Sequence, residues 1–349
     1  MFSQVLISSS NDLIYGTVSD QRDGTYIGLL TAVTVGKYEL SALLGTDTIL
    51  QSAPILVVAG YPSSLQTVLN SPVPARILSG ADIYLVFQFR DQYSNIISDC
   101  ANISVFILIP NSTVLISNQT VDDCDSGLIN KSISIRKSDS YQITPQWKIM
   151  DLFGSVLGAP FSTTVVSASA DPAQCTAESR FLKIGQQGPT EASTVGITRY
   201  MTITAYDTWG NRVQTDPFSV IESFSVFLAA TGQRCSPACP STCDMTTGLA
   251  ATKSDVCVTA KITNNYDSTY TAEWAVSVAE TYLVVATLRG TFIRSSPFRF
   301  SAGAGQVSIN SSKILSTPGS SLAGSSVNFF VQLMDDWGNS ISSSVKVLI

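Results

Sequence analysis

The sequence predicts an all-β chain of tandem β-sandwiches, and three observations predict it. First, apolar runs are short, rich in Val, Ile, Thr, Tyr and Phe, and alternate with polar residues. No segment keeps a helical period for three turns. Second, the motif Asp-x-aromatic-small-Asn occurs three times, as Asp91-Gln-Tyr93-Ser94-Asn95, Asp207-Thr-Trp209-Gly210-Asn211 and Asp335-Asp-Trp337-Gly338-Asn339. Third, a Tyr-led strand followed by a Pro-capped one also occurs three times, as Tyr38 with Pro54-Ile55, Tyr141 with Pro160-Phe161, and Tyr282 with Pro297-Phe298. A repeated pair of motifs is the signature of a repeat architecture.

In chain order the Tyr/Pro motif comes first and the two motifs then alternate. Residues 1–59 therefore read as the latter half of a repeat, 60–167 and 168–303 as complete repeats, and 304–349 as the first half of another. Boundaries fall near Gly60, Ala168 and Gly303, where Gly, Ala, Ser and Pro cluster. Each Asp motif follows an alternating apolar run (Ile83 to Phe89, Met201 to Ala205, Val327 to Leu333) and reads as the turn that ends a strand. Asp and Asn can bond their own backbone there, and Gly or Ser tolerates the tight conformation. About 100 residues and seven strands per repeat match an immunoglobulin-like sandwich. Tyr38, Tyr141 and Tyr282 are candidate tyrosine corners, with ordinary core aromatics as the alternative. Tyr26 and Tyr270, each preceded by Thr, stand twelve residues before two of them. Asp91 and Tyr141 are 50 positions apart but Asp207 and Tyr282 are 75, so the third unit carries an insertion that includes its cysteines.

Composition narrows the function. The chain holds 13% charged residues with a formal net charge of -6, so it has no basic surface to neutralise a phosphate backbone, and nucleic acid is not an expected partner. No apolar run approaches the roughly 20 residues of a spanning helix. Histidine is absent, which removes the usual general base and commonest metal ligand, together with Ser/His/Asp and Cys/His catalysis. No cofactor is expected.

Five N-x-[ST] sequons, at Asn102, Asn111, Asn118, Asn130 and Asn310, accompany seven cysteines and point to a secreted, N-glycosylated chain with disulfides. Residues 1–10 lack the basic and apolar regions of a signal peptide, so a signal is expected upstream or already removed. Cys100 and Cys124 flank an Ile/Val-rich strand and are expected to pair. Cys235, Cys239, Cys243 and Cys257 are expected to form two disulfides of undetermined connectivity; a four-thiolate zinc site is the weaker alternative. Cys175 is left as a buried small hydrophobe or a link to another chain. The acidic groups Asp122, Asp123, Asp125 and Asp335, Asp336 read as turn formers, because the spacing of a calcium loop is missing.

These motifs are similar to filamin-type repeats, in which an Asp-x-x-Gly-Asn turn is followed by a Gly-x-Tyr-x-Val strand and a Gly-Ser-Pro-Phe-x-Val strand. Asp207 to Asn211, Val35-Gly36-Lys37-Tyr38 and Ser295-Ser296-Pro297-Phe298 carry the resemblance, as does Ala170-Asp171-Pro172. Departures are Ser140 and Thr281 in place of the Gly before Tyr, and Gly158-Ala159-Pro160-Phe161 in the second unit. With sequons and cysteines, the chain looks nearer to the family's extracellular relatives on plant and algal gamete or cell surfaces. The resemblance implies a spacer or contact module engaging partners by strand addition at a sheet edge, with Ile103 to Ile109 and Ser223 to Ala229 as the candidate edges.

The leading expectation is a non-enzymatic structural or adhesive building block of an extracellular fibre. The alternative is a gamete-attachment-like recognition ectodomain that binds a partner through strand addition or through the insertion, residues 233–257. The terminal half-repeats are expected to be a window of a longer array; as true ends they would instead pair head to tail through a non-closing contact.

Overall fold

The computed structural model describes residues 2–8, 13–99, 102–109, 115–123, 126–182, 193–213, 222–230, 257–316, 319–320 and 322–342. The described residues are all-β, and none forms a helix long and apolar enough to cross a membrane. The chain divides into two compact units, Met1–Val166 and Ser167–Ile349.

The first unit begins with one antiparallel sheet of β1 (Phe2–Ser8), β2 (Leu13–Asp20), β3 (Tyr26–Leu29), β4 (Gly36–Leu44) and β5 (Asp47–Val57), in the order β3-β2-β1-β4-β5. Pro54 lies in β5, an edge strand among the described residues, the place in a sheet where proline is tolerated. A complete sandwich follows. Its first sheet is β10-β11-β8-β6, formed by β6 (Val68–Leu69), β8 (Asp82–Gln88), β10 (Leu115–Asp123) and β11 (Leu128–Ser134). Its second is β13-β12-β14-β7, formed by β7 (Arg76–Leu78), β12 (Asp139–Ile149), β13 (Leu152–Ser155) and β14 (Phe161–Val166), with β9 (Ser104–Leu108) paired to β12. Ile83, Leu85 and Phe87 of β8, Ile129 and Ile133 of β11, and Tyr141, Ile143 and Trp147 of β12 belong to one buried cluster. Every second residue of β8 and β12 is buried, as the alternating pattern requires. Each buried Ile or Phe contributes on the order of 1.5–3 kcal/mol.

The sandwich of the second unit follows the same plan, with one further strand, β19 (Cys257–Thr259), laid along β18 (Phe224–Ala230). One sheet is β15-β17-β21-β20, from β15 (Thr176–Glu178), β17 (Arg199–Thr204), β20 (Lys261–Asn264) and β21 (Thr269–Trp274). The other is β16-β24-β22-β18-β19, from β16 (Ser193–Thr194), β18 (Phe224–Ala230), β19 (Cys257–Thr259), β22 (Thr281–Leu288) and β24 (Phe298–Gly303), with β23 (Thr291–Phe292) hairpinned onto β22. In both sandwiches the first strand is split between the sheets. β6 and β15 pair antiparallel with the second main strand, while β7 and β16 pair parallel with the last. Two sheets sharing a divided first strand are the immunoglobulin-like architecture. A two-stranded ribbon, β25 (Ser308–Ser316) and β26 (Phe330–Met334), follows in the same unit.

The two candidate edges fare differently. β9 pairs only with β12 and is an edge among the described residues. β18 is not an edge. Its Phe227 to Ala229 are paired with β19 on one side and with β22 on the other. The chain returning from the insertion lays Cys257–Thr259 along it, which the sequence pattern of 223–229 alone does not reveal.

Candidate functional site at the repeat joints

The three Asp-x-aromatic-small-Asn motifs form the same compact turn. In the first, Asp91 Oδ1 accepts hydrogen bonds from the Tyr93 and Asn95 amides at 2.9 and 3.0 Å, and Oδ2 accepts from the Gly60 amide at 3.0 Å and Asn95 Nδ2 at 2.8 Å. Asp207 takes the amides of Trp209, Asn211 and Ala168 at 2.9, 2.9 and 3.0 Å. Asp335 takes those of Trp337, Asn339 and Gly305 at 3.0, 2.8 and 2.8 Å. The position before Asn has a left-handed backbone in every copy, at Ser94 (φ 70°), Gly210 (φ 79°) and Gly338 (φ 82°), a conformation that suits glycine. Each carboxylate is buried, and each holds the amide at which the chain enters the next sandwich or ribbon.

Burial pushes the Asp91 carboxyl up, but the bonds from Asn95, Gly60 and Tyr93 outweigh it and hold it below the ordinary 3.8. For Asp335 burial is likewise the largest influence and is overcome by Gly305, Asn339 and Trp337. Hydrogen bonds to the charged form favour it. Asp335 thus acts as a turn former, as its sequence context predicts, whereas Asp122 and Asp123, read the same way, are the last residues of strand β10 and Asp125 lies outside the described residues. Among the described residues no group of three or more Cys, Asp or Glu is arranged to hold a metal.

The three Tyr motifs are tyrosine corners. Tyr38 donates its hydroxyl to Thr34 O at 2.8 Å, Tyr141 to Lys137 O at 2.9 Å and Tyr282 to Val278 O at 2.8 Å, always four residues upstream. Burial, then the nearby Glu280 charge, pushes the Tyr282 hydroxyl up to about 12. Tyr270 is buried in β21 and its hydroxyl accepts the Glu222 amide at 3.3 Å, whereas Tyr26 in β3 is exposed.

The corners and turns meet where they follow one another within a unit. Asn95 Nδ2 donates to Val33 O at 2.8 Å and its Oδ1 accepts from the Val35 amide at 3.2 Å. Asn339 treats Ser277 O and the Ala279 amide in the same way, at 2.8 and 2.9 Å. Trp337 lies against Gly196, where a Cβ would come within 2.1 Å of the indole. A cavity of about 460 Å³, lined in part by Val33, Val58, Tyr61, Asp91, Tyr93 and Asn95, opens at the first joint. Sequence reasoning saw these asparagines only as turn residues. The alternation of the two motifs along the chain was the signal of their meeting, and nothing marked Gly196.

The remaining expected sites are spread out. Asn102 and Asn310 are exposed, and Asn130 is half-buried on β11 between β10 and β8. Asn118 is in β10, and Asn111 lies outside the described residues. Cys100, Cys124, Cys235, Cys239, Cys243 and nearly all of the insertion lie outside them too; Cys257 begins β19. Cys175 is fully buried, donates through Sγ to Tyr206 O at 3.8 Å, and has its thiol pushed up by burial. It therefore packs as a small hydrophobe, and the reading of it as a link to another chain is withdrawn.

No family model matches the chain, and no curated protein matches it. Among solved structures it is similar to FdeC, an adhesin of Escherichia coli, at 17% identity and a TM-score of 0.47 over 86% of this chain and 85% of that one. It is also similar to invasin, a bacterial integrin-binding protein, at 12% identity and a TM-score of 0.42 over 96% and 60% of the two chains, and to the Lin-41 filamin domain, at 16% and 0.25 over 30% and 97%. The fold assignment rests on the divided first strand, the sheet orders and the tyrosine corners.

Proposed function

We propose that the chain is a non-enzymatic structural or adhesive spacer of a cell surface or extracellular fibre, built from tandem immunoglobulin-like repeats. One observation carries this reading: the most distinctive side chains of the repeat, the turn aspartates and corner tyrosines, are all spent on backbone groups and joints. Chemistry invested in repetition suits a spacer. The domain limits proposed are 1–59, 60–167, 168–303 and 304–349. Exposed Asn102 and Asn310 are the favoured glycan sites; Asn130, between two strands, is less favoured. Disulfides are proposed for Cys100 with Cys124 and among Cys235, Cys239, Cys243 and Cys257. Labelling intact cells with a membrane-impermeant biotin reagent, with and without glycosidase, tests the reading. Labelled protein whose mass falls on deglycosylation, with smaller shifts in Asn102→Gln and Asn310→Gln, is expected. Labelling only after permeabilisation would overturn it.

A second reading, a recognition ectodomain, is favoured by β9 itself. Its edge, unpaired among the described residues, is bordered by Phe106 and Leu108, about half exposed at 47% and 49%, and an edge with apolar side chains can accept an added strand. Loss of partner capture on Phe106→Lys with Leu108→Lys, at unchanged stability, is expected if that edge binds; unchanged capture would return attention to residues 233–257.

A further inference from the structure

We propose that Asn95 and Asn339, which close the first and third Asp-x-aromatic-small-Asn turns, are inter-repeat staples, each fixing its own repeat onto the tyrosine-corner loop of the repeat before it. The two joints lying wholly inside a unit carry the inference independently. In the first, the Asn95 carboxamide donates to the carbonyl of Val33 and accepts from the amide of Val35. In the second, Asn339 does so with Ser277 and Ala279. The spacing is identical in both: 62 residues back to the carbonyl and 60 to the amide.

The carbonyl and amide belong to residues two apart, and the residue between them is the one whose own carbonyl takes the corner hydroxyl, Thr34 from Tyr38 and Val278 from Tyr282. The carboxamide thus pairs with the loop as a peptide group of a neighbouring strand would. Only a side chain with a donor and an acceptor side by side can do this. Asp lacks the donor, and Gln is one methylene longer.

The aspartate completes the device. Asn95 Nδ2 also donates to Asp91 Oδ2, which receives the Gly60 amide of the connecting segment; Asn339 Nδ2 and the Gly305 amide converge on Asp335 Oδ2 in the same way. One buried carboxylate therefore grips the connecting segment and orients the amide that grips the preceding repeat. Bonds to a charged acceptor are the stronger kind. At the second joint Trp337 over Gly196 adds an apolar contact. One attachment to the connecting segment and another to the preceding loop restrict bending, so these two joints are fixed links rather than free hinges. The proposal stands on this geometry and not on the surface-protein reading; labelling of cells tests that reading alone.

The test is residue-resolved hydrogen exchange on the full chain, in Asn95→Ala and Asn339→Ala. For Asn95→Ala the Val35 amide should exchange about five- to tenfold faster, the change that one net hydrogen bond supplies. Gly60 and Tyr93, still held by Asp91, should stay within about twofold. For Asn339→Ala the accelerated amide should be Ala279, with Gly305 and Trp337 steady. Unchanged Val35 and Ala279 would overturn the staple. So would uniform acceleration of all three amides at a joint, or loss of native signals in both variants, since the asparagine would then serve only its own turn.

Discussion

Asp91→Asn is a near-isosteric change whose cost the structure allows to be worked out. The carboxylate accepts four hydrogen bonds, from the amides of Gly60, Tyr93 and Asn95 and from Asn95 Nδ2. An amide side chain keeps one oxygen, so two of the four bonds are lost and its own N–H groups are turned toward two donors. Bonds to a charged acceptor are worth about 1.5–3 kcal/mol each. Even at the lower end, and before counting the donor clash, the loss is about 3 kcal/mol, a large share of the 5–15 kcal/mol that stabilises a domain. It corresponds to a fall in melting temperature of about 15 °C for a sandwich of this size. Urea unfolding followed by hydrogen exchange at the β8 amides reads the sandwich that contains Asp91. A midpoint equivalent to less than about 0.5 kcal/mol of destabilisation would refute the claim that the carboxylate, and not merely the turn, holds this segment.

Other predictions are independent of that one. Because the Asp91 and Asp335 carboxyls are depressed below 3.8, the stability they contribute is present above that pH and is lost as pH falls through their folded values; an acid titration should show this slope, flattened in Asp91→Asn. Tyr282, raised to about 12 from 10.0, acts in the opposite direction, so its contribution is intact below pH 10 and lost between pH 10 and 12. Tyr282→Phe should cost about 1 kcal/mol at neutral pH and abolish that alkaline loss in thermal melts. Gly196→Ala places a Cβ into Trp337 at φ +77° and should cost about 1–3 kcal/mol, with a red shift of indole emission; unchanged emission would deny the contact. The Cys175 peptide should resist alkylation in native protein and react once unfolded, as mass spectrometry of the digest would read.

Much of the fold was legible because its signals are local. Alternation along Ile83 to Phe89 required a half-buried strand, and the buried β8 pattern follows from it. Asp91, Ser94 and Asn95 form a turn that closes within five residues, so its chemistry is written in adjacent letters. The corner tyrosines bond four residues upstream and are local in the same sense. The edge at Ser223 to Ala229 was misread because what covers it, Cys257–Thr259, lies about thirty residues away across the insertion, and nothing in the pattern of a strand names its neighbours. Gly196 was invisible for the same reason: its neighbour Trp337 is 141 positions further along.

By itself the sequence determined the class of structure, the repeat and its order, the turn chemistry and the absence of histidine catalysis, because periodicity, motif spacing and composition act over a few residues at a time. Only the tertiary structure decided which strands are edges, that Cys175 is sealed in a core, and that Asn95 and Asn339 reach beyond their own turns. Those outcomes depend on which surfaces meet when distant segments pack, and a hydrogen bond spanning 60 residues leaves no mark on the residues between its ends.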